Sequence, residues 1–538
     1  MKKNLFSISM ITLVSMYALL SIILIGICLI AKIPVTYGIL TSIIVIILQF
    51  LLAPFFTDLT VKWFYKANFD AEIPLYLKEF IESVCQKENI KFPKLAIIDD
   101  SAPNAFTYGR FKNDARLVIT RGIFELLNEE EVKSVVGHEL GHIVHLDMFL
   151  MTAVELVPLV LYYIYQGLIK SDNDNDNNYS QLIAIIAYVL YIITQYIVLW
   201  FSRTREYYAD EYSIKNTRNP NALANSLVKI GFGLILRDNS NNPDNNENDK
   251  KKKKKHSINE IGALGLFDSK TSKSLIVTSN GNFNDKMSIK NAMKWEMWNP
   301  WAFIYELKST HPLISKRLLA ISNYSREYNQ EPYVVFDLKK EESYVDDFFL
   351  ELFIKYLPII SFLITLVLLI CLLIRNVSFN ASLIIGIGGL ITVISSFVAF
   401  SRSHRSGYEN RTVRDLLGEV KVSGITSIPC IVEGRIIGKG DPGCVFSEDF
   451  VLQDNTGIIF LDYNQPLFII NKIFALFKSH QYINEIVKIK GWYRRSPVPY
   501  IEIYEMEILG KTKKVFTYNL GIILHILFGI VSLIILFL

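Results

Sequence analysis

Seven stretches of about 18 or more nearly uncharged, apolar residues constrain this chain more than any motif does, because each is long enough to cross roughly 30 Å of hydrocarbon as a helix. They lie near residues 10–31, 37–56, 150–169, 181–201, 357–374, 383–400 and 517–538. The chain of 538 residues is 51% hydrophobic, and the excess sits in these blocks. The first, MITLVSMYALLSIILIGICLI, is too long for the apolar core of a signal peptide, and a second follows six residues later. It is expected to be retained as a helix.

Basic residues orient the spans. With the N-terminal MKKN inside, the outer segments AKIPVT, KSDNDNDNNYS and RNVSFNAS carry only Lys32, Lys170 and Arg375 of the 56 lysines and arginines. The remainder then faces the cytoplasm, as the positive-inside rule requires. A net charge of +4 is mild for this length and by itself indicates no nucleic-acid partner. Cys28, Cys85, Cys371, Cys430 and Cys444 form no CxxC pair, so neither a disulfide framework nor a zinc finger is expected.

The expected fold class is an α-helical multi-pass membrane protein of about seven spans, with an α+β domain on the cytoplasmic side and a C-terminal all-β barrel. An N-terminal transmembrane hairpin (1–56) leads into a cytoplasmic segment (57–149), where a helical pattern over DAEIPLYLKEFIESVCQK precedes KLAIID, NAFTYG and ARLVIT, which suggest a strand meander. NEEEVKSVVGHELGHIVH then starts a helix, with Asn128 as N-cap and Glu131 completing a capping box. No Gly-Pro break separates it from the next span, so the two are expected to be nearly continuous. A second transmembrane hairpin (150–201) and a helix (202–236) follow. The stretch 237–258, RDNSNNPDNNENDKKKKKKHS with its borders, is too polar to offset its ordering entropy and is expected to be a solvated tether, its lysines being alternatively a contact for anionic lipid. Residues 259–356 resume a folded pattern as the remainder of the cytoplasmic α+β domain, before a third transmembrane hairpin (357–400) and a last span (517–538).

Between these last spans, residues 415–510 show strand-like runs EVKVSGI with CIVEGRIIG, then DFVLQD, TGIIFLDY, EIVKIKGWYRR and YIEIYEMEIL, and a helical PLFIINKIFALFKSH after the third. Five strands with a helix after the third is the order of an OB-type barrel, and DNTG suits a hairpin turn. Trp492 and Tyr493 beside Arg494 and Arg495 are a combination that stacks on single strands; in a membrane-tethered chain a structural or protein-binding barrel is the expectation.

Three of the eight histidines fall within VVGHELGHIVHLD. Residues four apart on a helix share a face about 6 Å apart along its axis, so His138 and His142 are placed to grip one ion. Glu139, on the flank, can reach a water on that ion. This is the HExxH arrangement: two neutral imidazoles bind one zinc, and the glutamate takes the proton of the attacking water. His145 points along the same face but lacks the spacing of a three-histidine site and is expected to stand outside it.

A third ligand follows from the topology. His142 and Glu206 each lie 32 residues from Asp174 in KSDNDNDNNYS, so an antiparallel hairpin of spans three and four returns Glu206 to the level of the histidines. Asp210, on the same face as Glu206, can accept the second N–H of a ligating histidine. The bland alternative is that SRTREYYAD is a charged anchor at the membrane surface.

The order HELGH, SRTREYYAD, STHPLISKR, with NAFTYG before it, resembles the HtpX-like integral-membrane zinc metallopeptidases, distant relatives of the CAAX prenyl endopeptidases. The resemblance covers residues 1 to about 325. It implies a zincin-like catalytic fold, His138, His142 and Glu206 as zinc ligands, Glu139 as general base and Asp210 behind the ligands. It further implies Asn104, Ala105 and Phe106 as the edge on which an extended substrate pairs. His311 and Arg317 match the family's later positions, where a cationic or hydrogen-bonding group stabilises the oxyanion; His311 is equally a helix-start residue before Pro312. The tether, the extra spans and the barrel depart from the short HtpX pattern.

The sequence therefore points to a cell-membrane zinc endopeptidase, facing the cytoplasm, whose partners are protein or peptide substrates and membrane lipid, with no nucleic acid. A prenyl-protein endopeptidase shares every motif. A non-catalytic scaffold has no need of Glu139.

Overall fold

A computed structural model of the chain describes residues 55–98 (except 56, 60 and 63–66), 104–169, 178–231, 286–375, 380–439 and 448–537 (except 484, 497 and 509). Contacts divide it into two compact units, the first holding the described residues up to 227 and 306–335, the second the others. The expected tether and loop at Asp174, and nearly all of the first two expected spans, lie outside the described residues.

In the first unit, helix α1 (Leu75–Glu88) precedes a three-stranded sheet of β1 (Lys94–Ile98), β2 (Ala105–Gly109) and β3 (Ala115–Thr120). The expected meander is corrected: β1 pairs parallel to β3 and β2 antiparallel to it, giving the order β1-β3-β2. The reason lies in ARLVIT, whose six side chains are all buried and so require the central position. Even Arg116 is buried there, with Asp58 and Asp114 at 2.9 and 2.5 Å. β2 is left as an edge, and no strand among the described residues pairs with its other side.

Helix α2 (Glu129–Val144) starts as its sequence dictates: Asn128 accepts from the Glu131 amide, and Glu131 accepts from the Asn128 amide. It does not run on into the next span. His145 caps it, Leu146 takes a left-handed φ of 59°, and α3 (Asp147–Ile169) begins afresh, a turn that carries the Asp147 carboxylate back toward α2. Helix α4 (Asn178–Thr217) is one continuous rod of 40 residues. It lies close on α2 because Gly141 leaves room: a Cβ there would meet the Ala209 Cα at 3.1 Å and the Tyr212 Cβ at 3.2 Å. Ser213 Oγ, one turn on from Ala209, donates to the Ser134 carbonyl at 2.6 Å. Helix α5 (Ile314–Ser325) completes what matters for the site.

The second unit contains α6 (Val345–Ile374) and α7 (Ala381–Ser403), followed by the barrel. Its strands are β4 (Ile428–Lys439), β5 (Phe450–Gln453), β6 (Ile458–Asp462), β7 (Ile486–Arg495) and β8 (Pro499–Ile508), with helix α8 (Phe468–Phe477) between β6 and β7. Pairing runs β4-β5-β6-β8-β7 and returns to β4, with only β6-β8 parallel, so the five strands close on themselves. That closure leaves no open edge within the ring. The DNTG turn forms, Asp454 Oδ1 accepting from the amides of Thr456 and Gly457. A short β9 (Lys511–Lys514) leads into α9 (Thr517–Phe537).

One expectation changes in this unit. EVKVSGI is no strand: its Val420 and Val422 carbonyls accept from Asn299 Nδ2 and Trp295 Nε1 at 2.8 and 2.7 Å, which takes up the groups a neighbouring strand would have used. Trp492, Tyr493, Arg494 and Arg495 are buried, with Arg494 on Glu502 and the Ser403 carbonyl and Arg495 over the Trp295 ring. They form internal structure and offer no stacking surface.

Among the described residues, five helices are long and apolar enough to cross a membrane: Asp147–Gln166, Gln181–Thr217, Val345–Ile374, Ala381–Ser403 and Thr517–Phe537. They overlap the apolar stretches expected at 150–169, 181–201, 357–374, 383–400 and 517–538.

Candidate metal centre

Helices α2 and α4 bring three groups to one point. His138 Nε2 and His142 Nε2 are 3.2 Å apart, and the Glu206 carboxylate lies 3.4 Å from the first and 3.5 Å from the second. Ligands on a tetrahedral ion with bonds of about 2.0–2.1 Å are separated by about 3.3 Å, so the three groups already stand at the edge lengths of a zinc polyhedron. Among the described residues they form the one cluster of three potential metal-binding side chains, and nothing in their chemistry disfavours zinc.

Each histidine is held from behind by a carboxylate. Asp210 Oδ1 lies 2.9 Å from His138 Nδ1, and Asp147 Oδ2 lies 2.6 Å from His142 Nδ1. Burial, and then the charge of His138, push His142 well below the usual imidazole range. The neutral ring therefore donates Nδ1–H to Asp147 and directs the Nε2 lone pair to the common point. His138 behaves oppositely in the metal-free protein. Burial opposes its charge, but Asp210 and Glu206 outweigh burial and raise it to about 9.

Behind these lies a layer of buried charge. Arg317 places Nε and Nη2 on Asp210 at 2.9 and 2.6 Å and Nη1 3.4 Å from Glu206. His311 Nδ1 is 3.0 Å from Glu206 Oε2. The segment that carries His311 is drawn onto α4 by Arg203, whose Nη1 donates to the carbonyls of Glu306 and Ser309 at 2.6 and 2.7 Å. Arg205 Nη2 reaches Asp147 at 2.9 Å.

Glu139 is buried beside the three convergent groups. Burial first and the Glu206 charge second raise it to about 8, against the pull of His138, Thr107 and Arg317. The Thr107 hydroxyl of β2 is near enough to favour the ionised carboxylate, while Oε1 has no hydrogen-bond partner among the described residues.

Peptidase family M48 matches residues 74–325, the span that carries all of these groups. The protease HtpX homologue of Methanothermobacter thermautotrophicus is 42% identical over 186 residues, covering 35% of this chain and 69% of that protein. The chain belongs to peptidase family M48. An HtpX homologue of Methanocaldococcus jannaschii is 34% identical over 207 residues, 37% of this chain and 72% of that one. The crystal structure of S. mikatae Ste24p is similar at 18% identity and a TM-score of 0.28, over 42% of this chain and 59% of that one, too distant to bear on the fold. With its apolar helices, this M48 chain is an HtpX-like membrane metallopeptidase.

The structure of the M48 chain thus gathers His138, Glu139, His142, Glu206, Asp210, His311 and Arg317 in one place. Ala105 and Phe106 open the edge strand β2, and Asn104 immediately precedes it. His145 stands apart, its ring edge-on to Tyr212 at 5.6 Å. Sequence reasoning missed Asp147, Arg203 and Arg205. The last two sit in SRTREYYAD as apparent interface anchors, and Asp147 has no spacing that a continuous helix would turn toward His142.

Proposed function

We propose that this chain is a zinc-dependent endopeptidase of the cell membrane that hydrolyses peptide bonds in membrane or misfolded proteins, with its active site facing the cytoplasm. The observation that carries the proposal is Glu139 Oε1, buried and without a hydrogen-bond partner among the described residues, beside three ligand groups spaced for one tetrahedral ion. His138, His142 and Glu206 are assigned as the ligands. Zinc held by them would supply Lewis-acid polarisation of the scissile carbonyl and a water of lowered pKa.

The remaining steps belong to the chain. Glu139 takes the proton of the attacking water and returns it to the leaving amine. Its Oε1, buried and without a hydrogen-bond partner among the described residues, is the oxygen assigned to this transfer. His311 is assigned to the developing oxyanion. Arg317, whose nitrogens are taken up by Asp210 and Glu206, is better assigned to holding those carboxylates than to the oxyanion role expected from sequence. An extended substrate pairs with the open edge of β2 at Asn104–Phe106, which sets its carbonyl beside α2. The basic residues concentrated inside support the orientation.

Casein hydrolysis by the purified protein tests the proposal. Chelation should abolish it and added zinc restore it; Glu206→Ala should resist restoration, whereas His145→Ala should recover. Hydrolysis that survives complete metal removal would overturn it.

A further inference from the structure

Helix α8, PLFIINKIFALFKSH in the sequence, has two apolar faces where a helix on a soluble barrel needs one. Phe474 and Ala475 are buried, Phe474 stacking between Tyr463 and Tyr482 at 4.2 and 5.8 Å and so closing the barrel. On the opposite side Ile469, Ile470, Ile473 and Phe477 fall within a sector of about 100° at 100° per residue, the width of stripe that ordinarily faces a core. Here that stripe faces outward: Ile469 is 71%, Ile473 53% and Phe477 72% exposed. Leu467, just before the helix, is exposed as well. Contiguous large side chains of this kind mark an interaction surface.

The neighbouring chain identifies the occupant. The segment leading into α8 is bonded to the start of the last membrane helix: Gln465 Oε1 accepts from the Phe516 amide at 3.2 Å, Gln465 Nε2 donates to the Lys514 carbonyl at 3.4 Å, and Thr517 Oγ1 donates to the Asn464 carbonyl. Phe516 and Leu467 are both exposed, so each of the two bonded segments shows a large apolar side chain at this junction. An exposed lysine, Lys478, follows Phe477 at the C-terminal end of the stripe. An outward apolar stripe ending in a basic residue and fastened to the first turn of a membrane span is the pattern of a helix that lies in the membrane interface.

We propose that α8 is an interfacial helix that lays Ile469, Ile470, Ile473 and Phe477 into the lipid of the chain's own membrane, so that the barrel rests against the bilayer through α8 as well as hanging from α9. The barrel is then held at a fixed height, and its closing helix is a lipid contact.

The test uses the full-length protein in bilayers of phosphatidylcholine and phosphatidylglycerol. Spin labels at Ile473→Cys and Phe477→Cys, in a cysteine-free background, should sit roughly 5–10 Å below the headgroup boundary by oxygen-against-nickel accessibility. A label at exposed Glu433 on β4 should remain in water. The unaltered chain, photolabelled with a diazirine lipid, should carry adducts on the peptide containing residues 467–477. Aqueous accessibility at both α8 labels, with adducts confined to the membrane helices, would overturn the proposal and leave the stripe to a protein partner.

Discussion

Asp147→Asn separates the role of the carboxylate behind His142 from the stability of the fold. Asp147 is almost fully buried and makes two contacts that matter, to His142 Nδ1 at 2.6 Å and to Arg205 Nη2 at 2.9 Å. An amide cannot favour the Nδ1–H tautomer as a carboxylate does, and loss of such a partner ordinarily weakens metal binding by about 10–100-fold, or about 1.4–2.7 kcal/mol. The substitution also strips Arg205 of the one ion-pair partner recorded for it among the described residues, while its Nε and Nη1 have no hydrogen bond there. A buried charge left in that way costs about 3–5 kcal/mol. Asp147→Asn should therefore lower the unfolding midpoint of the metal-free protein and weaken zinc binding in a competition titration. Asp147→Asn with Arg205→Met should regain the midpoint but not the affinity. If the double variant bound zinc as the natural chain does, the assignment of Asp147 to His142 would be wrong.

Asp210→Asn should weaken zinc by about the same 10–100-fold and in addition expose Arg317 to loss of its bidentate partner, so its effect on the metal-free midpoint should not be recovered by Arg205→Met. His138, raised to about 9 in the metal-free protein, carries a proton at pH 7 that zinc must displace; the apparent affinity should rise with pH, by up to about tenfold per unit, and level off near pH 9. Calorimetry in buffers of different ionisation enthalpy would register the released proton, and an affinity flat from about pH 6 to 9 would contradict the charge state given to His138. In the barrel, burial pushes the Cys430 thiol up to about 12, so alkylation of native protein at about pH 8 should be on the order of a thousandfold slower than for an ordinary thiol, and should recover on unfolding.

What sequence could deliver here follows from the range of the interactions involved. The start of α2 is written within four residues, Asn128 to Glu131, and the pairing of His138 with His142 is fixed by helical pitch alone. Glu206 was reachable because membrane thickness fixes a hairpin's geometry, so counting residues about Asp174 gives a level without knowledge of side-chain packing. The barrel order was legible from five runs and one helix. Asp147 was not legible, because its approach to His142 depends on the left-handed Leu146, a residue type with no preference for that conformation. The sheet order was missed because consecutive strands usually neighbour one another, and only the full burial of β3 overrides that tendency. EVKVSGI has the alternation of a strand, yet its carbonyls go to Trp295 and Asn299, more than a hundred residues away.

Glu139→Gln tests the central claim most directly. The substitution keeps the size of the side chain and leaves His138, His142 and Glu206 untouched, while removing the one group assigned to carry the proton. Metal analysis and casein hydrolysis on the same preparation should show zinc bound at the natural stoichiometry and proteolysis abolished. Full proteolysis in the variant, or loss of zinc as complete as in His138→Ala, would contradict the account.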